Sequence, residues 1–242
     1  MSSRGAALIT GGSRRIGRTL VRACASIGFD VAIHCRVADD DAHAAIADVR
    51  SLGRKATLLT ADLRHEAETA PLVGLAEAEL GPVTLLVNSA SVFEDETFTD
   101  MNRASWDLHM ETNLRAPLVL AQAFAQRLPA DRTGMILNLL DQRVMNPSPA
   151  FFSYALSKSA LWDATRMLAK DLAPQIRVNA IGPGPVLRSI HQTAQDFADE
   201  AAATLLKRAA SPEEIAQAMT YLIDAPSVTG QMIIVDAGQH LA

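Results

Sequence analysis

Short apolar segments alternate with longer amphipathic ones along the chain, and this alternation constrains the fold more than any other feature. Seven segments are predicted β-strands: Ala6–Thr10, Val31–Cys35, Ala56–Thr60, Thr84–Asn88, Met135–Leu140, Arg177–Ile181 and Met232–Val235. The predicted helices are Arg15–Ile27, a segment that ends at about Leu52, Glu66–Leu80, Ser105–Arg127, Ser153–Leu172 and Pro212–Ile223. Such alternation is typical of a parallel sheet with both faces covered. We therefore predict a doubly wound α/β fold with a seven-stranded parallel sheet.

The length of 242 residues fits one such domain, and no linker rich in Pro or Ser divides it. The net charge of -5 argues against nucleic acid or anionic membrane as a partner. No apolar run approaches the ~20 residues that a spanning helix needs, and no apolar leader opens the chain. The two cysteines and six scattered histidines suggest neither a disulfide nor a metal site. We expect a cytoplasmic protein that acts on a small molecule.

A glycine-rich turn, Thr10–Gly17, joins the first predicted strand to the first predicted helix. Glycines let the backbone approach a phosphate, and the helix N-terminus offers free N–H groups. The position between a strand and a helix favours a Rossmann-type dinucleotide site over an ordinary tight turn. The candidate cofactor contacts in this turn are Gly11, Ser13, Arg14, Arg15 and Ile16.

The end of the second strand predicts the cofactor. Folds that select NAD place an acidic residue there, whereas this chain has His34 and Arg36 and no acid until Asp39. An arginine pairs with the 2′-phosphate that a carboxylate would repel, so we predict NADP(H). The alternative is that Arg36 is a solvated surface charge. Past the third strand, Asp62 and Leu63 are placed to meet the adenine, although Asp62 could equally cap a loop.

Tyr154 and Lys158 stand four residues apart in a predicted helix, which puts both on one face. An ammonium group beside a phenol stabilises the phenolate and lowers the phenol pKa. A tyrosine tuned in this way can give a proton to an atom that gains negative charge. The pair alone is common by chance, so its weight depends on the surrounding motifs.

Those motifs resemble the short-chain dehydrogenases/reductases over almost the whole chain. The matching pieces are Thr10–Gly17, Asn88-Ser89-Ala90, Asn113, Tyr154 with Lys158, Arg177–Gly184, Thr229-Gly230-Gln231 and Val235–Gly238. The resemblance implies that Tyr154 is the acid/base, that Lys158 binds the nicotinamide ribose, and that Asn113 supports a water-mediated proton relay. It also implies a nicotinamide end lined by Asn88, Ala90, Pro183, Gly184 and Val186.

Three departures from the general family pattern are similar to the pteridine reductases and the bacterial dihydropterin reductases. Asp141 stands thirteen residues before Tyr154, where a serine is usual, Arg15 replaces a glycine, and Phe93 follows Asn88–Val92. The resemblance implies that Arg15 reaches cofactor phosphate and pterin, that Phe93 stacks on the pterin, and that Asp141 handles protons. The implied substrate contacts are Arg15, Ser91, Phe93, Asp141 and Tyr154. The alternatives are core packing for Phe93 and a cap for Asp141.

These expectations combine into an NADPH-dependent reductase that transfers hydride to a conjugated C=N or C=O bond, first of all in a dihydropterin. A carbonyl or 3-oxoacyl reductase and a non-catalytic NADP-sensing or scaffold protein stay open as alternatives. The irregular region from about residue 183 to 208 is predicted to form a substrate lid, or else a solvated helix. There Gln192, Asp196 and Phe197 are candidates to face the substrate. The resemblance implies a homotetramer, or a homodimer, through helices rich in small residues.

Overall fold

One parallel sheet forms the centre of the computed structural model, which describes residues 4–242. Its strands are β1 (Ala6–Ile9), β2 (Asp30–Cys35), β3 (Ala56–Thr60), β4 (Val83–Asn88), β5 (Gly134–Leu139), β6 (Ile176–Pro183) and β7 (Met232–Val235). Their order is β3-β2-β1-β4-β5-β6-β7, and every neighbouring pair is parallel. The predicted seven-stranded parallel sheet is confirmed.

The helices connect these strands. They are α1 (Arg15–Ser26), α2 (Asp40–Ser51), α3 (Glu66–Thr69), α4 (Leu72–Leu80), α5 (Arg103–Met110), α6 (Ala116–Arg127), α7 (Phe152–Asp171), α8 (Ala194–Ala203) and α9 (Pro212–Asp224). Two predicted helices are each divided. Pro71, which has no N–H to continue a helix, separates α3 from α4. A π-helical turn over Glu111–Arg115 lies between α5 and α6.

The central strand β1 buries side chains against helices on both faces of the sheet. In β1, Ala7 and Ile9 pack into a cluster with residues of α1 and α9, while Ala6 and Leu8 pack into a second cluster with α4 and α6. All four residues of β1 are fully buried. Alternate residues of a strand point to opposite faces, so a strand buried on both faces is apolar throughout. This arrangement confirms the doubly wound fold.

None of the helices between residues 4 and 242 is long and apolar enough to cross a membrane. Two small residues of the long helices, Ala121 on α6 and Ala169 on α7, pack inside the chain. The strand order changes direction between β1 and β4, and a crevice at that point is where open α/β sheets bind ligands.

Candidate active site

A cleft of about 790 Å³ lies at the carboxyl ends of the strands. Its walls come from the loops that follow β1 to β5, from α7, and from the segment after β6. Parallel strands bring these loop residues to one edge of the sheet although they are far apart in sequence. The cleft is therefore the place where the predicted site residues can meet.

The glycine turn forms one wall of the cleft, and two of its glycines have no room for a side chain. A Cβ on Gly17 would lie 2.1 Å from the carbonyl oxygen of Gly11. A Cβ on Gly11 would lie 2.9 Å from the Cα of Ala90, and the φ of Gly11 is +64°. Arg14, the N-cap of α1, makes no side-chain hydrogen bond to the first turn of the helix. Backbone N–H groups at this helix end are therefore available to an anionic ligand.

Arg15 connects this turn to the segment after β6. Its φ is +50°, a left-handed conformation that is uncommon for residues other than glycine. Its guanidinium group donates hydrogen bonds to the carbonyl oxygens of Leu187 and Arg188, both at 3.0 Å. The side chain that the sequence assigns to cofactor and substrate thus lies beside the cleft and holds the beginning of the predicted lid.

The arginines near the end of β2 are in different situations. Arg36 is exposed and lines the cleft, and within residues 4–242 no carboxylate pairs with it. Arg14 instead forms ion pairs with Asp39 and with Asp41, the latter at 2.7 Å. Arg36 is therefore the free cation at the position where the sequence predicts the 2′-phosphate.

His34 and Asp62, which the sequence also assigns to this end of the cleft, make hydrogen bonds within the chain. The buried His34 ring accepts a hydrogen bond from the Gly11 N–H at 3.3 Å and contacts the Ala61 carbonyl oxygen at 3.1 Å. Burial lowers the pKa of His34, so the ring is neutral and ties β2 to the glycine turn. Asp62 pairs with Arg64, and this hydrogen bonding lowers the pKa of Asp62 to about 2. The loop-cap interpretation of Asp62 thus has direct support.

Tyr154 and Lys158 are both buried on α7, and both face the cleft. The Lys158 Nζ donates a hydrogen bond to the Leu139 carbonyl oxygen at 2.8 Å and lies 5.8 Å from the centroid of the Tyr154 ring. Burial lowers the pKa of Lys158 to about 8, and the charge of Asp141 opposes this shift. The predicted pair on one helix face is present at the expected place.

Asp141 lies directly at the Tyr154 hydroxyl, which donates a hydrogen bond to its Oδ2 at 2.8 Å. The pKa of Tyr154 is raised well above its usual value, first by burial and then by the charge and hydrogen bond of Asp141, while Arg143 opposes the shift. The expected lowering of this pKa by Lys158 is not found in this arrangement, because burial and Asp141 raise the pKa and the opposing cation is Arg143. Tyr154 stays a neutral phenol near neutral pH and is suited to donate a proton.

Phe93 belongs to an aromatic group in the cleft. Its ring stacks on Phe151 with centroids 4.1 Å apart and meets the Tyr154 ring edge-on at 4.7 Å. The Arg143 guanidinium lies 5.6 Å from the Phe93 centroid and 5.5 Å from that of Phe151. Phe93, Phe151 and Arg143 all line the cleft, so core packing does not describe Phe93.

Two predicted residues, Asn88 and Asn113, lie behind the wall of the cleft and do not line it. The Asn88 side chain donates a hydrogen bond to Asn138, its partner in the register of β4 and β5, at 2.8 Å. Asn113, in the π-helical turn, accepts from the Val92 N–H at 2.8 Å and donates to the Val92 carbonyl oxygen at 2.9 Å. The strand register thus turns the Asn88 side chain toward β5 and away from the cleft. Asn113 holds the loop that carries Phe93.

The predicted lid contains α8, which buries none of its residues. Gln192 and Phe197 line the cleft, but Asp196 does not. The Asp196 carboxylate accepts the N–H and the hydroxyl of Thr193 and so completes a capping box at the start of α8. The suggestion that Asp196 faces the substrate is therefore wrong.

Most of the predicted site residues line the cleft. They are Gly11, Ser13, Arg14, Arg15, Ile16, His34, Arg36, Asp62, Leu63, Ala90, Ser91, Phe93, Asp141, Tyr154, Lys158, Pro183, Gly184 and Val186. The sequence analysis missed Arg64, Arg143, Phe151 and His191, which also line it. Arg64 and Arg143 have a usable signal, since a residue two positions after a capping aspartate is placed to bond to its carboxylate.

Known proteins are similar to this chain over nearly its whole length. A family model described as Enoyl-(Acyl carrier protein) reductase matches residues 11–240. The structure is similar to that of FolM Alternative dihydrofolate reductase 1 from Brucella suis in complex with NADP, with a TM-score of 0.96, 44% identity, and coverage of 100% of this chain and 97% of that chain. The structure of FolM Alternative dihydrofolate reductase 1 from Brucella canis complexed with NADP is also similar. Its TM-score is 0.92 and its identity 43%, and the match covers 99% of this chain and 95% of that chain. The 3-oxoacyl-[acyl-carrier-protein] reductase FabG of Staphylococcus epidermidis is 28% identical over 240 residues, which cover 97% of this chain and 98% of FabG.

Proposed function

The chain belongs to the short-chain dehydrogenase/reductase family, and from this premise we propose that it reduces a dihydropterin or a related pteridine with NADPH. As a member of this family the chain is an oxidoreductase. One observation carries the choice of substrate: the Tyr154 hydroxyl bonds to Asp141 beside the flat Phe93 ring. Family membership leaves the non-catalytic sensor alternative without a basis.

The residues of the cleft fit NADP(H). The crowded glycines bring the backbone to the cleft wall, and the uncapped N-terminus of α1 suits a pyrophosphate. Arg36, which has no carboxylate partner within the described residues, would pair with the 2′-phosphate, and Lys158 would hold the nicotinamide ribose. NADPH, when bound, supplies the hydride. The two Brucella structures are NADP complexes, which supports the same cofactor for this chain.

Tyr154 supplies the proton in this proposal. Its O–H bond breaks as a new N–H or O–H bond forms on the substrate atom that gains negative charge. The raised pKa keeps Tyr154 protonated until that step. The Lys158 ammonium, 5.8 Å from the ring, and Arg143 then face the phenolate that remains. Phe93 offers an aromatic face to a planar substrate ring.

A second candidate is a carbonyl or 3-oxoacyl reductase, because FabG matches nearly the whole chain. Asp141 stands against this candidate, since it occupies the position where the wider family has a serine that hydrogen-bonds a carbonyl oxygen. The higher identity to the two proteins described as alternative dihydrofolate reductases supports the pteridine proposal.

A substrate panel separates the two candidates. NADPH oxidation is followed with a dihydropterin, with dihydrofolate, with a simple ketone and with a 3-oxoacyl thioester. We expect the highest kcat/KM with one of the two pteridine substrates, at least about tenfold above the ketone and the thioester, a transition-state difference of about 1.4 kcal/mol. Activity on the ketone or the thioester alone would reject the pteridine proposal and favour the second candidate.

We further propose that the protein is a cytoplasmic homotetramer, with a homodimer as the alternative. The apolar residues Leu156 and Met167 lie on α7 with 40% and 70% exposure, which suits burial by a second copy. Closed symmetric assemblies are the commonest in soluble proteins. Light scattering after gel filtration measures the assembly directly, and we expect Met167→Glu to make it smaller. A monomer in the wild type would contradict this proposal.

A further inference from the structure

Arg143 donates hydrogen bonds to both carboxylate oxygens of Asp141. Its backbone N–H donates to Oδ1 at 2.8 Å, and its Nη1 donates to Oδ2 at 3.2 Å. Asp141 is the N-cap of a short 3₁₀ turn over Gln142–Val144, which places Arg143 two residues beyond it. The Tyr154 hydroxyl shares Oδ2 with the guanidinium group. One residue therefore sets the orientation of the carboxylate that meets the proton donor.

Neighbouring rings hold the Arg143 side chain within the cleft. Its guanidinium carbon lies 5.6 Å and 5.5 Å from the centroids of Phe93 and Phe151, which is within the range of cation–π attraction. The side chain is 22% exposed, so it is not a solvated surface charge. A continuous set of contacts thus runs from the Phe93 ring through Arg143 and Asp141 to Tyr154.

Four ionisable groups surround the Tyr154 phenol. Asp141 bonds to its hydroxyl, Arg143 bonds to Asp141, the Lys158 Nζ lies 5.8 Å from the ring, and the His109 ring lies 6.3 Å away between centroids. The His109 nitrogens contact the Glu94 N–H at 3.2 Å and the Ser105 carbonyl oxygen at 2.9 Å. Arg143 is thus the cation bonded to the one carboxylate at the phenol.

We propose that Arg143 is a positioning residue of the reaction centre, which holds the Asp141 carboxylate at the Tyr154 hydroxyl and offsets the negative charge left when Tyr154 gives up its proton. The proposal rests on the proposed role of Tyr154 as proton donor. Without the guanidinium group, a phenolate would form beside a carboxylate with no bonded counter-ion, and like charges at that distance oppose its formation. The backbone N–H of residue 143 stays in every variant, so a substitution isolates the side chain.

The first arm of the test is a tyrosinate titration by difference absorbance, which needs no substrate. The chain has two tyrosines, and Tyr221 is 58% exposed, so Tyr221→Phe leaves Tyr154 as the single reporter. In this background we expect Asp141→Asn to lower the pKa of Tyr154, because it removes the carboxylate whose charge and hydrogen bond raise that pKa. Adding Arg143→Met then raises it by roughly one unit, as loss of a nearby opposite charge requires. Circular dichroism checks that each variant is folded.

The second arm is steady-state kinetics of Arg143→Met and of the charge-conserving control Arg143→Lys. We expect Arg143→Met to lower kcat about tenfold and to keep KM within about threefold of the wild-type value. Arg143→Lys, which keeps the positive charge, should recover part of the lost kcat. In an Asp141→Asn background Arg143→Met should lower kcat by a clearly smaller factor than in the wild type, because the carboxylate that Arg143 positions is gone and only its effect on the phenolate charge remains.

Three results would overturn the proposal. They are a Tyr154 pKa that Arg143→Met leaves unchanged, a rise in KM at constant kcat, which indicates a substrate contact, and an equal loss of kcat with and without Asp141. If the wild type reduces no substrate of the panel, the proposed function fails but the titration still decides the role of Arg143.

Discussion

The groups around the Tyr154 phenol have opposing effects on its pKa. Burial and the hydrogen bond to Asp141 raise its pKa, and Arg143 lowers it. Lys158, on the same face of α7, is itself buried and donates its hydrogen bond to Leu139. At the scale of residues, the phenol is therefore neutral near pH 7 and carries the proton that the proposed reduction requires.

Burial of Lys158 gives a pH dependence of stability. Its pKa is about 8 in the folded protein against the usual 10.5, so the cost of burying the ammonium is full below pH 8 and disappears as the pH rises toward 10.5. The difference in unfolding free energy, wild type minus Lys158→Met, should therefore rise by about 2 kcal/mol between pH 7 and pH 10. Denaturant unfolding at the two pH values measures it. A constant difference would show that Lys158 keeps its ordinary pKa and a falling one that folding raises it, and either result would contradict the lowered pKa.

Arg36 should decide the choice between NADPH and NADH. Arg36→Asp removes the unpaired cation and places a repelling charge in the cleft, so we expect kcat/KM for NADPH to fall about a hundredfold and the preference to move toward NADH. Arg22→Asp is the matched control, because Arg22 is exposed on α1 and lies outside the cleft lining. Unchanged NADPH selectivity in Arg36→Asp would refute the assignment of Arg36 to the 2′-phosphate.

At the scale of elements, the turn between β1 and α1 depends on close backbone packing. Gly17→Ala would place a Cβ 2.1 Å from the Gly11 carbonyl oxygen, which the backbone can relieve only by moving the turn. We expect a loss of about 3 kcal/mol in unfolding free energy and weaker NADPH binding.

Gly74→Ala on α4 is the control for this change, because its Cβ would meet the flexible end of Arg127 at 2.9 Å. Alanine favours a helix interior by about 1 kcal/mol, so the stability of this variant should stay within about that range. Denaturant unfolding and NADPH titration measure both variants. Equal effects of the two substitutions would contradict the close-packing argument.

Arg15 should restrain the start of the lid through its two hydrogen bonds to Leu187 and Arg188. Arg15→Ala removes both bonds, so we expect amide hydrogen exchange over residues 187–192 to become about tenfold faster. Exchange followed by mass spectrometry measures this, with Arg22→Ala as the control on the exposed face of α1. Unchanged exchange would show that the segment is held by other contacts, such as that between Gln192 and Glu200.

The sequence predicts the elements well where the pattern is local. The strand positions agree within two residues, because buried strands are short apolar runs between turns. Pro71 marks the break between α3 and α4 in the sequence itself, because proline has no N–H to continue a helix. Phe151 could not be predicted, since its left-handed φ of +56° and its stacking on Phe93 arise only when two distant loops meet. The direction of the Asn88 side chain could not be predicted either, because it depends on the register with β5.

At the scale of the whole molecule, the strand order brings the loops after β1 to β6 to one edge of the sheet. One end of the cleft is the glycine turn, which is suited to bind phosphate, and the other end is at Tyr154, the proposed proton donor. The fold and the cleft residues were accessible from the sequence because the motifs fix them at known strand ends. Arg143 acquires its role only in three dimensions, where the rings of Phe93 and Phe151 hold it against Asp141.

Steady-state reduction by Tyr154→Phe tests the central claim most directly, because it removes one oxygen atom and leaves the ring contacts with Phe93 in place. Tyr221→Phe is the control at the exposed tyrosine. We predict that Tyr154→Phe binds NADPH as the wild type does and that its kcat falls by at least about a hundredfold, while Tyr221→Phe keeps full activity. A Tyr154→Phe variant with near wild-type kcat would contradict the assignment of Tyr154 as the proton donor.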